Sequence, residues 1–195
     1  LLGFSTSPEI QDQFSKLLQG KDLAPERKEI LLETISKSPL KELPETWVEA
    51  LGKLTLDQAF NQTVRWAALR IIQSRGIEKH DPGLREAAMD ADEPEDYRVA
   101  LLATVVSRQP ELSDAEFKFL VSRLNPELDS TSRLTAAQVI GKANLNQNQL
   151  LEIAKGQLGT ADALLLPALS EAFAKGTDQE VGKALISGLL ESEVR

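Results

Sequence analysis

Asn61-Gln62-Thr63-Val64-Arg65-Trp66-Ala67-Ala68-Leu69 is the stretch that decides the fold. Its pattern, an arginine followed by small and branched apolar residues, returns twice further along the chain, in Tyr97-Arg98-Val99-Ala100-Leu101-Leu102 and in Ser132-Arg133-Leu134-Thr135-Ala136-Ala137. The apolar residues keep the i, i+3, i+4, i+7 spacing of one helix face. No stretch alternates at period two for long enough to make a strand. The sequence therefore predicts an all-α protein.

An arginine marks alternate predicted helices at regular distances, and we call this set the arginine ladder: Arg27, Arg65, Arg98 and Arg133. The separations are about 38, 33 and 35 residues, a period that indicates solenoid repeats in which each unit is a helix pair. Small residues at shared positions would let adjacent helices approach closely. These are Ala67, Ala100 and Ala136.

Proline–glutamate pairs and capping signals divide the chain into roughly eleven short helices. Proline fits the first turn of a helix, and an acid beside it meets the positive end of the helix dipole. Capping boxes are predicted at Thr55-x-x-Gln58, Ser113-x-x-Glu116 and Thr177-x-x-Glu180, with further N-caps at Asp81 and Asn146.

We expect one domain over residues 1–195, an all-α solenoid of about five antiparallel helix pairs plus a terminal helix. The short connections make consecutive helices antiparallel neighbours. Pro167 should kink the helix predicted over 161–175 or mark its true start. The predicted repeats cover 8–37, 44–75, 82–108, 113–142 and 146–175, followed by the terminal helix 178–192.

Composition argues against several classes of function. The net charge of −8 repels polyanions, so a nucleic-acid partner is not expected. The chain has no cysteine, which removes thiolate metal sites, cysteine nucleophiles and covalent haem attachment. No apolar run approaches the roughly 20 residues that span a bilayer, so direct membrane insertion is not expected. The chain begins Leu1-Leu2-Gly3 without methionine, and we interpret it as part of a longer protein.

The stretch 61–69 resembles the second-helix signature of HEAT repeats, in which an acidic or amide residue precedes Val-Arg and a pair of alanines. The stretch 129–137 resembles it too, with Ser132 replacing the valine, whereas at Asp96-Tyr97-Arg98 the acid stands closer to the arginine than in the signature. This resemblance implies that each arginine bonds loop carbonyls or acids of the adjoining repeat.

The tail carries a second, narrower resemblance. The stretches 165–173 and 177–185 are similar to a HEAT segment of large planctomycete-type proteins labelled membrane-bound dehydrogenases, which join a β-propeller, a HEAT array and a c-type cytochrome module. The haem-attachment motif Cys-x-x-Cys-His is absent from this chain. The resemblance implies a connecting array in an extracytoplasmic, periplasmic protein. It leaves open an oxidoreductase-like domain elsewhere in the parent protein.

Two interpretations of the arginine ladder remain open. Guanidinium groups suit carboxylates and phosphates, so the ladder could form an anion-binding stripe along one face. The structural interpretation, which we favour, has each arginine bonding loop carbonyls or acids of the adjoining repeat, because a repeated residue at a repeated position more often serves the repeat itself. Trp66, beside Arg65, could line a groove, whereas Trp47 is expected to pack in the core.

No catalytic, cofactor-binding or metal-binding residue is predicted. The acidic stretch 90–96 lacks the glycine and the ligand spacing of an EF-hand, so we expect a solvated turn and a helix start. His80, the only histidine, has no partner at a spacing that indicates catalysis and is expected in a surface turn.

These observations favour a non-catalytic scaffold that docks a protein partner or neighbouring domains of the same chain. The alternative is a HEAT-like DNA-repair glycosylase or another nucleic-acid-binding repeat protein, which would need a basic concave face. A third hypothesis, a lyase acting on a tetrapyrrole cofactor, has no specific residue signal.

Overall fold

The computed structural model describes residues 7–20, 23–176 and 178–192. This part of the chain forms eleven α-helices, a short 3-10 helix at Leu158–Thr160 and no β-strand. The helices are α1 (Pro8–Gln19), α2 (Pro25–Ser36), α3 (Glu45–Leu56), α4 (Gln62–Ser74), α5 (Asp81–Met89), α6 (Glu95–Val106), α7 (Asp114–Ser122), α8 (Ser130–Lys142), α9 (Gln147–Gly156), α10 (Leu166–Glu171) and α11 (Gln179–Glu191).

The chain divides into two compact units, Leu1–Ala87 and Ala88–Arg195, where the sequence analysis expects one domain. In the first unit α1 packs on α3, α2 packs on α4, and α3 packs on α4. In the second unit α6 packs on α8, α8 packs on α10, and α9 packs on α11. Packing of each helix on its next-but-one neighbour is the arrangement of stacked helix pairs. The prediction of an all-α, solenoid-like fold is confirmed.

Local capping accounts for several of the helix starts. Ser113 and Glu116 form a reciprocal capping box at the start of α7, as predicted. Asn146 caps α9 and forms a second box with Gln149, which satisfies two backbone N–H groups that the helix cannot pair internally. Asp178 caps α11, whereas Thr177, the cap predicted there, lies outside the described residues.

The prediction of a helix start near Thr55 is wrong. Helix α3 continues through Thr55 to Leu56, and α4 begins only at Gln62, capped by Asn61. The Thr55 hydroxyl is fully buried and donates to the carbonyl oxygen of Leu51, one turn earlier in the same helix. A threonine that bonds back into its own helix in this way does not act as a cap.

Helix α10 is shorter than the helix predicted over 161–175. It begins at Leu166, with Pro167 in its first turn, so the proline marks the helix start. Before it, the carboxylate of Asp162 accepts the backbone N–H groups of Leu164 and Leu165 at 3.1 and 3.0 Å and holds a turn. An aspartate that bonds the backbone two or three residues later stabilises a turn.

The core contains a stacked aromatic pair and two places where helices approach closely at a glycine. Trp47 is fully buried, stacks on Phe14 with ring centroids 5.6 Å apart, and donates from Nε1 to a main-chain oxygen. A Cβ at Gly141 of α8 would lie 2.1 Å from the carbonyl oxygen of Ala168 in α10. A Cβ at Gly188 of α11 would lie 2.4 Å from a carbonyl oxygen of α9. Only glycine allows these helices to pack so closely.

Candidate functional site

The ladder cations share one position in their helices. Arg65, Arg98 and Arg133 are each the fourth residue of their helix, in α4, α6 and α8. In α2 the fourth residue is Lys28, whereas the residue that the sequence period predicts is its neighbour Arg27. Lys28 is buried, whereas Arg27 is exposed. The first cation of the ladder is therefore Lys28, because rotation by one residue turns a side chain about 100° around the helix.

Each ladder cation donates to a main-chain oxygen at or just after the end of the preceding helix. Arg65 Nε lies 3.2 Å from the Thr55 oxygen, ten residues earlier. The carbonyls in the last turn of a helix have no partner inside the helix, and the negative end of the helix dipole attracts a cation. The equivalent bonds are Lys28 Nζ to Leu18 at 2.6 Å, Arg98 Nε to Ala88 at 2.7 Å and Arg133 Nε to Leu124 at 3.3 Å.

Lys28 is the most completely enclosed member of the ladder. Its ammonium group donates to a second main-chain oxygen, that of Gly20, at 2.5 Å, and lies 4.5 Å from the centre of the Phe60 ring. Desolvation by burial, followed by the charge of Lys53, lowers the pKa of this ammonium group. An ammonium group with these partners serves to hold the end of α1 against the start of α2.

Arg75 has a similar structural role, which was not predicted from the sequence. It follows the last residue of α4, and its guanidinium donates to four main-chain oxygens at and beyond the end of α2. These oxygens belong to Ile35, Ser36, Ser38 and Leu40, at 2.7 to 3.3 Å. The sequence pattern that could have indicated this role is the spacing: Arg75 follows Arg65 by ten residues, as Arg108 follows Arg98.

The two later ladder arginines have further partners. The Arg98 guanidinium lies over the ring of Phe119 at 4.0 Å, within the range of a cation–π contact. Arg133 forms an ion pair with Asp162, Nη2 to Oδ2 at 2.9 Å. Although burial by itself raises the pKa of Asp162, the N–H of Leu165 and the charge of Arg133 hold it below the usual aspartate value.

A cavity of about 510 Å³ lies beside Arg133, and we call it the Arg133 cavity. Arg133 is 8% exposed and forms part of its wall, together with apolar residues of α10 and polar residues of the neighbouring loops. The lining residues are Val121, Ser122, Leu124, Asn125, Pro126, Arg133, Gly156, Gln157, Thr160, Ala161, Leu165 and Leu169. This cavity brings one ladder arginine to an accessible, concave surface.

A groove of about 680 Å³ runs between α2 and α4 in the first unit, and we call it the α2–α4 groove. Its rim carries three glutamates of α2, namely Glu26, Glu29 and Glu33, and one cation, Arg70. Ile30 projects between the glutamates and is 55% exposed. The rest of the lining is Leu32, Ser36, Ala67, Ile71 and Ser74.

The tryptophans occupy different environments. Trp66 is half-buried in α4 and is not among the described residues that line the α2–α4 groove. Trp47 packs in the core, as predicted. The groove aromatic that the sequence suggests is therefore not part of this groove, because Trp66 precedes Ala67 by one residue and points around the helix from it.

The acidic stretch and the histidine are both engaged in local structure. Within residues 7–20, 23–176 and 178–192, no three acidic or histidine side chains converge as a metal site. Asp96 accepts the hydroxyl of Ser132 at 2.6 Å, and Glu95 pairs with Arg123. His80 is half-buried, and its Nε2 lies 2.8 Å from the oxygen of Val48 in α3.

The fold and the ladder cations define the class of the protein, an all-α, solenoid-like chain of repeated helix pairs. No protein-family model and no curated protein matches the chain. Among the helices of the described residues, none is long and apolar enough to cross a membrane.

Proposed function

We propose that this chain is a non-catalytic helical-repeat module that docks a cationic, amphipathic helix of a partner protein in the α2–α4 groove. The observation that carries the proposal is the acidic rim of that groove around the exposed side chain of Ile30. HEAT-type repeats, which the sequence resembles, fit the same interpretation. The extracytoplasmic location and the larger multidomain parent stay predictions from the tail resemblance.

The spacing of the groove residues matches a helical partner. Glu26, Glu29 and Glu33 follow each other by three and four residues, so they lie along one face of α2 at about one per turn. A partner helix laid along the groove would present lysines or arginines at the same spacing and an apolar side chain against Ile30. Helix-in-groove recognition uses anchors at i, i+3, i+4 and i+7 in this way.

The charges favour a cationic partner. The described residues of the rim hold three carboxylates against one guanidinium, that of Arg70. Glu33 also pairs with Lys37 on the surface, and the hydrogen bond and charge of that lysine lower its pKa. Both groups of this ion pair are well exposed, so a partner lysine or arginine can displace Lys37 at little cost.

The burial of the ladder cations favours docking of a protein partner and argues against nucleic-acid binding. Lys28 is enclosed among main-chain oxygens and an aromatic ring, and Arg65 is 5% exposed. Cations that donate to main-chain oxygens at helix ends do not form a basic face. The chain as a whole carries a net charge of −8. A phosphate backbone would meet repulsion at long range.

The test measures binding of a synthetic helical peptide with lysines at i, i+3 and i+7 and leucines between them, by fluorescence anisotropy. The variant Glu26→Gln/Glu33→Gln should bind about tenfold more weakly, since two favourable charge contacts are lost. Ile30→Ser should also weaken binding, by roughly threefold to tenfold, since apolar contact area is lost.

The matched control is Glu127→Gln/Glu152→Gln, which removes the same charge from exposed positions in the second unit. It should leave the peptide affinity within about twofold of the unchanged protein, because Glu127 and Glu152 are not among the described residues that line the groove. Equal losses in both double variants would show that only net charge matters and would reject the groove. Salt-sensitive micromolar binding of a short DNA duplex would instead favour the nucleic-acid alternative.

A further inference from the structure

The Arg133 cavity has the size of a small-ligand site. Its volume of about 510 Å³ falls within the usual range for ligand pockets. It lies entirely in the second unit, where the loop after α7 meets the end of α9 and the start of α10. It is thus separate from the α2–α4 groove, and its function does not depend on the docking proposed there.

Two of the three guanidinium nitrogens of Arg133 are engaged in contacts with the protein. Nε donates to the Leu124 oxygen at 3.3 Å, and Nη2 pairs with Asp162 at 2.9 Å. Nη1 makes no hydrogen bond with the described residues. It is also not among the described side-chain atoms that are both buried and without a hydrogen-bond partner, so it is accessible to solvent. A guanidinium has five N–H donors in a fixed plane, and those on Nη1 remain available to a ligand.

The remaining wall suits an anion with an apolar tail. Asn125 and Gln157 contribute side-chain amides, and no aspartate or glutamate is among the described lining residues. Leu165 and Leu169 supply an apolar surface on the α10 side. Among the described lining residues Arg133 is the one charged side chain, in a chain whose net charge is −8.

We propose that the Arg133 cavity binds a carboxylate carried on a short apolar tail, with the N–H groups of Arg133 Nη1 donating to the carboxylate oxygens. The amides of Asn125 and Gln157 would complete its shell, and Leu165 and Leu169 would contact the tail. Asp162 already shares the Arg133 charge, so a monoanion fits better than a phosphate dianion. A free carboxylic acid and the C-terminus of a peptide present the same chemistry.

The first experiment titrates the full chain with hexanoate and, separately, with the uncharged hexanamide, followed by NMR of the arginine Nε–H and leucine methyl signals. Hexanoate should shift the signals of Arg133 and Leu169 saturably, with a Kd on the order of 1 mM. Hexanamide should bind far more weakly, because it lacks the charge. Equal binding of both compounds, or no saturable shift with hexanoate, would overturn the proposal.

Two variants test the charge without removing Arg133, which the fold needs. Asn125→Asp keeps the side-chain oxygen that accepts the N–H of Glu127 and adds a negative charge to the wall, so hexanoate should bind about tenfold more weakly. Asp162→Asn keeps the acceptor of the two turn N–H groups and releases Nη2, so hexanoate should bind more tightly. Unchanged hexanoate affinity in Asn125→Asp, or weaker binding in a folded Asp162→Asn protein, would contradict the proposal.

The control is Asn148→Asp, which makes the same change on an exposed position of α9 that is not part of the lining. Its hexanoate affinity should equal that of the unchanged protein. A peptide that ends in leucine, with a free or an amidated C-terminus, distinguishes a free carboxylic acid from a peptide C-terminus as the ligand. Tighter binding of the free-carboxylate peptide than of both its amidated form and hexanoate identifies a peptide C-terminus. Tighter binding of inorganic phosphate than of hexanoate would reject the choice of a carboxylate.

Discussion

Lys28 Nζ lies 2.6 Å from the carbonyl oxygen of Leu18, ten residues earlier in the chain. Arg65 makes the same contact with Thr55, also ten residues earlier, although the two cations differ in shape. What the four repeats with a ladder cation share is thus a cation at the fourth residue of the second helix and a carbonyl at or just after the end of the first helix. This pairing ties the two helices of each pair together at one end.

Replacing Lys28 by methionine should therefore destabilise the protein. The change keeps most of the side-chain volume but leaves the Leu18 and Gly20 oxygens without their donor, and the unfolding free energy should fall by about 1–3 kcal/mol. Arg27→Met is the matched control, since it removes the neighbouring exposed cation. Urea unfolding measures both. Equal losses in the two variants would contradict the placement of Lys28 in the ladder.

Because Gly52 and His80 are in contact, the effect of Gly52→Ala on stability should change sign when His80 is also replaced, as a double-mutant cycle measures. A Cβ at Gly52 would lie 2.3 Å from Cε1 of the His80 ring, so Gly52→Ala should destabilise the protein by displacing the ring from the Val48 oxygen. In the His80→Ala background the same change should stabilise it, by up to about 1 kcal/mol from helix propensity. Thermal unfolding of the four proteins tests this, and an unchanged sign would reject it.

Two glycines of the second unit should respond oppositely to alanine. Gly141→Ala places a Cβ against the main chain of Ala168, which cannot move aside as a flexible side chain can, so a loss of about 2 kcal/mol or more is expected. Gly182→Ala in α11 meets no described atom within 4 Å and should stabilise by up to about 1 kcal/mol. Urea midpoints of both variants decide. Similar effects would mean that α8 and α10 are not in close contact.

The ion pair of Arg133 and Asp162 should make stability depend on acid pH. The pKa of Asp162 is lower in the folded state, so ionisation favours folding; this contribution is complete above the usual value of about 3.9 and disappears as the pH falls through the folded-state value. Asp162→Asn should consequently destabilise the protein at neutral pH, with a smaller difference from the unchanged protein near pH 3. Urea unfolding at both pH values measures this. An equal difference at both would contradict it.

The sequence predicted the helices well where its signals are local. Ser113 with Glu116 and Asn146 with Gln149 lie within one turn of each other, so capping chemistry decides those helix starts without help from the rest of the fold. Thr55 shows the limit of this inference. It has the spacing of a capping box, but its burial within α3 leaves its hydroxyl to bond the Leu51 oxygen.

The candidate sites depended more on tertiary structure. The period of the arginines was visible in the sequence, yet Arg27 and Lys28 are adjacent cations, and only their burial in the structure shows which of them turns inward. The glutamates of the α2–α4 groove carry no repeat signal at all. Their grouping arises because α2 packs on α4, and helix packing brings together residues distant in the chain.

The sequence by itself determined the all-α class, the solenoid-like repetition and the arginine ladder, because apolar periodicity and capping act over a few residues. Tertiary structure alone decided that Arg133 lines a cavity, with no hydrogen bond from Nη1 to the described residues, while Lys28 is enclosed. The physical reason is that both cations satisfy the same local demand, a carbonyl at a helix end. What remains of each side chain's hydrogen-bonding capacity depends on which distant segments pack around it.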